Sequence, residues 1–344
     1  MSLINVRSYY NTPFVRIMSM KPLFISCFLG DSCSKGCKEN VGQELNSTST
    51  VLMVEPVNFK YNEQTATTNA FMKQEADSIA QREALEQFNN YVDILRRHGI
   101  NVITVKDTPE PSTPDSIFPN NWFSTHSDGR TVLYPMYAPN RRDERKPGVM
   151  DAIAKACPNN TVVDLTHWES EEKFLEGTGS LVLDRVNKVA YACLSPRTSK
   201  EVLDEFCEKL GYKVVVFNSV DGNGVPIYHT NVMMCVGSKF AILCEASIPS
   251  KEELKLVKSA LEQSGKEIID ISLEQMSSYA GNMLEVNDGK GNLFVIMSET
   301  AKASLSPSQI ERISGFGTII SAAIHTIEIN GGGSARCMLA EIYQ

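Results

Sequence analysis

The chain has 344 residues, 42% hydrophobic and 22% charged, a globular composition with ample length to bury a core. Its net charge of −8 sets an acidic surface against nucleic acid and anionic membranes, and no apolar run is long enough to span a bilayer. Those exclusions leave a protein whose business is with small molecules.

The first 48 residues read apart from the rest. "MSLINVRSYYNTPFVRIMSMKPLFISCFLG" carries Arg7, Arg16 and Lys21 and no acid before Asp31. It is compatible with a mitochondrial presequence, and "KPLFISCFLG" with a short, poor signal-peptide core; the plainer readings are a disordered extension, or a start at Met18 or Met20. "SCSKGCKENVGQELNSTST" reads as a linker. A folded domain is therefore expected over residues 49–344. Val51–Val54 is a short buried strand. In the helix that follows, Ile79, Leu85, Phe88, Val92 and Leu95 keep a helical period, and Gly99 stops it. "INVITVKD" is a strand, and "IFPNNWFSTHSDGRTVLYPM" is a hairpin turning at Ser127-Asp128-Gly129. The same succession recurs through "GTGSLVLDRVNKVAYACLS", "YHTNVMMCVGSKFAILCEAS" and "YAGNMLEVNDGKGNLFVIMSE", each followed by a helix and one further strand. A repeat of ββαβ units with a period of roughly 60 residues implies small sheets around an axis, as in a propeller.

In such an array the strand ends converge, so polar residues distant in sequence can meet there. The candidates at hairpin mouths are Asp115, Asn120, Asn121, Glu176, His229, Asn231, Asn282 and Cys337. Most such residues taken singly are turn formers or core polar groups. Gly177 and Gly179 leave room beside Glu176 for a ligand or another backbone. Asn231 follows His229 by two positions, which in a strand puts both on one face. The run "GGGSARC" and its Arg336 suit a reactive thiol at Cys337. Jointly these residues point to covalent cysteine catalysis. The nine cysteines form no C-x-x-C pair and the five histidines are isolated, so no disulfide framework and no metal or cofactor site is expected. Free thiols suit a reducing compartment, the cytoplasm, with the mitochondrion as the alternative.

"EGTGS", "YHTNVMM", "AGNMLE" and "GGGSARCMLAEIY" resemble the guanidine-modifying superfamily, which includes arginine deiminases, dimethylarginine dimethylaminohydrolases and glycine amidinotransferases. "EPVNFKYNEQTATTNAF" and "DSIFPNNWFSTH" resemble its citrulline-utilisation hydrolase branch most. The resemblance spans about residues 51–344. It implies a five-bladed α/β propeller, the pentein fold, with Cys337 as nucleophile and His229 as general acid/base. It further implies Glu176 as the carboxylate holding the planar nitrogen group and Arg197 as a grip on the substrate α-carboxylate, with Arg336 in a less uniform role. Deiminases carry aspartate where this chain has Asn121 and Asn231. An amide can donate to a ureido oxygen where a carboxylate can only accept, so these two residues tilt the expected substrate from arginine toward citrulline. Arginine hydrolysis and amidino transfer remain the alternatives, and self-association along propeller edges, as a homodimer or higher oligomer, is left open.

Overall fold

The computed structural model describes residues 46–73 and 77–343. The leader, with its targeting reading and its three cysteines, lies outside the described residues. Five separate three-stranded sheets carry the chain, in a mixed α/β arrangement. In order they hold β1 (Thr50–Glu55) with β2 (Asn101–Lys106), β3 (Phe123–His126) to β5, β6 (Val182–Asp184) to β8, β9 (Met234–Val236) to β11, and β12 (Leu284–Asn287) to β14. The intervening strands are β4 (Arg130–Leu133), β5 (Thr161–Asp164), β7 (Val189–Cys193), β8 (Lys213–Phe217), β10 (Phe240–Leu243), β11 (Glu267–Asp270), β13 (Leu293–Ser298) and β14 (Thr318–Ala322).

One pattern repeats in four of the sheets. The middle strand pairs antiparallel with one neighbour through a tight hairpin and parallel with the other through a helical crossover. The crossover helices are α1 (Asp77–Arg97), α2 (Pro147–Ala156), α3 (Lys200–Leu210), α4 (Lys251–Gln263) and α5 (Pro307–Ser314). The first sheet is assembled from both chain ends. β15 (Ala340–Ile342) pairs antiparallel with β1, setting Leu52 opposite Ala340, while β1 runs parallel to β2. Middle strands are buried almost end to end, as their unbroken Val/Ala/Ile runs require. The third strands are more exposed, and β2, β11 and β14 mix exposed with buried positions.

Local signals explain the helix ends. Ser306 and Gln309 cap α5 reciprocally, and Gly211 ends α3 in the left-handed region at φ 73°. The apolar stripe of α1 differs from the sequence expectation. Ile79 is exposed, and the buried face is Ala80, Ala84, Phe88, Tyr91, Val92 and Leu95. Two alanines let this end of the helix lie close to its neighbours. No helix among the described residues is long and apolar enough to cross a membrane.

What positions the site is a second repeat. The first strand of four sheets is entered through a single tight helical turn. These turns are Pro119–Asn121 before β3, Gly177–Ser180 before β6, Thr230–Val232 before β9 and Ala335–Met338 before β15. The approach to β12 is a turn as well, closed by Asn282 N–H on Tyr279 O. The turns pack on one another, which brings one polar cluster from each sheet together. The sequence expectation that these segments begin as strands is therefore corrected at Gly177–Ser180 and at Thr230–Val232. His229 is the residue before a 3₁₀ turn, so the same-face rule for strands does not govern His229 and Asn231.

Candidate active site

The cysteine is reached through Gly331, Gly332 and Gly333, and the reason for glycine is packing. A Cβ on Gly331 or Gly333 would stand 2.7 or 2.8 Å from the Phe118 ring, and Gly332, at φ 63°, would run into Asn69. The turn they permit places Cys337 6% exposed, with its Sγ 3.2 Å from Asn282 Nδ2 and 3.5 Å from Asn231 Nδ2. Asn282 is fixed in turn, since its Oδ1 accepts the Arg336 backbone N–H at 3.0 Å. Two amide donors therefore face the sulfur, an arrangement suited to a thiolate.

His229 and Glu176 form a buried pair, Nε2 to Oε2 at 2.7 Å. The other carboxylate oxygen accepts the Tyr137 N–H at 3.0 Å. Burial pushes the His229 imidazole down to about 4, and the Glu176 charge recovers only part of that loss. Burial alone would raise Glu176, but Arg197, His229 and Arg141 outweigh it and hold the carboxyl at about 2. The pair at neutral pH is therefore a carboxylate and a neutral ring donating from Nε2. Gly177 and Gly179 make this possible. A Cβ on Gly177 would overlap the Asn120 and Asn121 carbonyls, and one on Gly179 would lie 2.5 Å from Asn121 Nδ2 and 2.8 Å from His229 Nδ1. The close neighbour that the glycines admit is thus another backbone and the imidazole edge. Gly179→Ala is expected to cost about 10- to 100-fold in kcat with a smaller change in Tm, checked by steady-state kinetics beside a thermal melt.

Cys337, His229, Asp115, Asn121, Arg197, Tyr228, Thr65 and Asn69 line one small cavity. Two polar atoms in it are unsatisfied among the described residues. Asp115 accepts from Asn62 and Thr65 through Oδ2, while its Oδ1 has no hydrogen-bond partner. Asn121 accepts from Arg141 through Oδ1 at 2.7 Å, while its Nδ2 has none. A buried acceptor and a buried donor on residues lining the same cavity suit a polar ligand. Burial also raises the Asp115 carboxyl, which Arg141 only partly offsets.

The other sequence candidates divide. Asn120 is fully buried and turned to Thr178, outside the cavity lining. Asn231 touches the sulfur and leaves its own Oδ1 unsatisfied. Arg197 is in the lining, yet its donors are spent on Thr65 O, Thr68 Oγ1 and Glu176, so the open fork expected for a carboxylate is not presented. Its position instead ties residues 65–68 over the site and holds Glu176 ionised. Arg336 points away, to Glu341 at 2.7 Å and to Leu339 O, so its guanidinium is not directed at Cys337. Both Glu176 oxygens are likewise engaged, by His229 and Arg197 on one side and the Tyr137 N–H on the other. Sequence reasoning missed Arg141, Thr65, Thr68 and Asn69. Nothing local in "PNRRDERK" marks one arginine as buried, and only the tertiary fold reveals that Arg141 is 2% exposed.

Comparison with known proteins bears on this geometry. The family profile described as N,N dimethylarginine dimethylhydrolase, eukaryotic, matches residues 55–344. No curated protein matches the chain. Among solved structures, the N-terminal domain of ArgZ, an arginine dihydrolase of the cyanobacterial ornithine–ammonia cycle, superposes with a TM-score of 0.68 at 18% identity, covering 86% of this chain and 98% of that one. AgrE bound to L-arginine gives the same score and identity but is covered over 40% of its length. A dimethylarginine dimethylaminohydrolase from Pseudomonas aeruginosa, complexed with citrulline, gives 0.61 at 16% identity, covering 86% and 99%. At these identities the likeness is one of fold, and it agrees with the superfamily that the sequence motifs resemble. The profile carries the name of a different branch from the citrulline-utilisation one. It spans nearly all of the described chain, so this protein belongs to the eukaryotic N,N-dimethylarginine dimethylhydrolase family within the guanidine-modifying superfamily.

Proposed function

We propose that the protein hydrolyses a C–N bond of a ureido or guanidino amino acid by covalent cysteine catalysis, with citrulline as the preferred substrate and ornithine as product. The observation that carries this reading is the unsatisfied pair in the Cys337 cavity, one acceptor at Asp115 Oδ1 and one donor at Asn121 Nδ2. A ureido group offers an oxygen to the donor and an NH₂ to the acceptor. A guanidinium offers only N–H groups, so it satisfies Asp115 and leaves Asn121 donor against donor.

The chemistry follows from that placement. Neutral His229 takes the proton of the Cys337 thiol, and the thiolate, faced by the Asn231 and Asn282 amides, attacks the planar carbon. The C–N bond to the side-chain nitrogen breaks as the protonated imidazole, steadied by Glu176, returns its proton to the leaving amine. Ornithine departs and Cys337 holds a carbamoyl thioester. Water, deprotonated by His229, attacks that carbonyl, restores the thiol and releases carbamate, which decays to carbon dioxide and ammonia. The turns carrying these groups sit on five sheets, and we read them as the blades of a pseudo-symmetric propeller around the site. Six buried free cysteines among the described residues suit a reducing compartment such as the cytoplasm.

The family description favours a second reading, N,N-dimethylarginine as substrate, the fold likeness to an arginine dihydrolase adds arginine, and the Asp115 carboxylate would serve either. Separate incubations with citrulline, arginine and dimethylarginine, following ornithine, citrulline, ammonia and dimethylamine, decide between them. Ornithine from citrulline is the expected result. Dimethylamine release with citrulline untouched would establish the second reading. Asn121→Asp is expected to move the kcat/KM ratio toward arginine by about 10-fold or more, because it replaces the donor with an acceptor beside Asp115.

A further inference from the structure

We infer that Arg141 is the residue that sets the charge preference of the site, as a positioning residue that locks the Asn121 amide with its NH₂ toward the substrate. An asparagine amide is nearly symmetric in shape, so a half-turn about its last torsion exchanges donor and acceptor. Something must choose. Arg141 is 2% exposed and donates from NH1 to Asn121 Oδ1 at 2.7 Å. A guanidinium has five N–H donors and no acceptor, so the reversed amide would set NH₂ against N–H and gain nothing. The oxygen is thereby held toward Arg141, and the donor is left in the cavity with Cys337.

Arg141 is itself held on several sides. Its Nε and NH2 donate to the two Glu144 oxygens at 2.8 and 3.0 Å, and NH2 also reaches Phe118 O at 3.0 Å. The pair is made within one turn of chain, three residues apart. Asp115 Oδ2 stands 4.0 Å from Nε, so one cation borders both unsatisfied groups of the cavity. Burial opposes the Arg141 charge, but Glu144 and Asp115 outweigh it and keep the group protonated. The locking group is thus a permanent cation with a fixed plane, and it cannot switch to accepting.

This inference rests on the substrate reading above, and its test separates the two. Removing Arg141 alone would leave the buried Glu144 carboxyl without its partner, so the informative variant is Arg141→Met with Glu144→Met, since a buried ion pair is often replaced by apolar residues without loss of fold. Should that pair fail to fold in a thermal melt, Arg141→Gln with Glu144→Gln replaces it, because a glutamine amide can meet either face of Asn121. Arg141→Lys keeps a donor-only cation. The readout is the ratio of kcat/KM for citrulline to that for arginine. A fall of 10-fold or more in the double variant, with the ratio kept within about threefold in Arg141→Lys, is expected. Equal losses on both substrates, or an unmoved ratio, would overturn the role of Arg141 and leave citrulline as substrate. A wild-type enzyme that ignores citrulline would overturn both.

Discussion

Cys337→Ser should lose turnover by on the order of 10⁴-fold or more while keeping its fold. The exchange is nearly isosteric, and the side chain's hydrogen-bond partners among the described residues are the Asn231 and Asn282 amides, which can donate to a hydroxyl as well. What is lost is nucleophilicity, because serine has no anionic form near neutral pH in a site whose base, His229, is held down to about 4. Six buried cysteines are described, so the result also identifies which one acts. Cys157, Cys193, Cys207, Cys235 and Cys244 are all pushed upward, with burial the largest cause in each case. None of them lines the Cys337 cavity.

The second large effect is expected at Glu176. Glu176→Gln removes the charge that steadies a protonated His229 and leaves Arg197, 3.4 Å away, without its counter-ion. A drop of about 10²- to 10⁴-fold in kcat is expected, the range for losing general acid/base function, together with a lower Tm. The pH dependence has a definite sign. Glu176 pulls the His229 pKa upward, so its removal drives that value below about 4, and the acid limb of the kcat/KM profile moves to lower pH. Stability of the wild type should decline with acid for the same reasons. His229 titrates near 4 when folded against 6.5 unfolded, so the unfolded chain gains the proton first and stability falls from pH 6.5 downward. Glu176 is depressed from 4.5 to about 2, so its contribution is complete above 4.5 and is lost below it. A kcat that is unchanged in Glu176→Gln would show that the pair is structural.

Much of this was legible in the sequence, for physical reasons. Strands buried on both faces must be apolar runs, and hairpins need residues such as Asp128-Gly129, so four of the five sheets can be traced along the chain. The fifth cannot, because its three strands come from both ends, and nothing local says that Ala340–Ile342 pairs with Thr50–Leu52. Cys337, His229 and Glu176 stand out because glycines surround or precede two of them. What those glycines admit was not legible. At Gly331 and Gly333 it is Phe118, at Gly332 it is Asn69, and at Gly179 it is Asn121 and His229. The arginines misled most. Arg336 and Arg197 lie beside motif residues in sequence, yet their side chains are drawn to Glu341 and to residues 65–68 by charges and carbonyls that only the fold assembles. Arg141 shows the converse, a buried cation inside a run of charges that by composition alone belongs on the surface.

The most direct test is to trap the intermediate. Enzyme mixed with citrulline, quenched in acid during turnover and digested, should yield the Cys337 peptide heavier by one carbamoyl group, and the same peptide should be unmodified in His229→Ala enzyme held in substrate. An unmodified Cys337 peptide during active turnover, or an adduct on any other residue, would contradict the account.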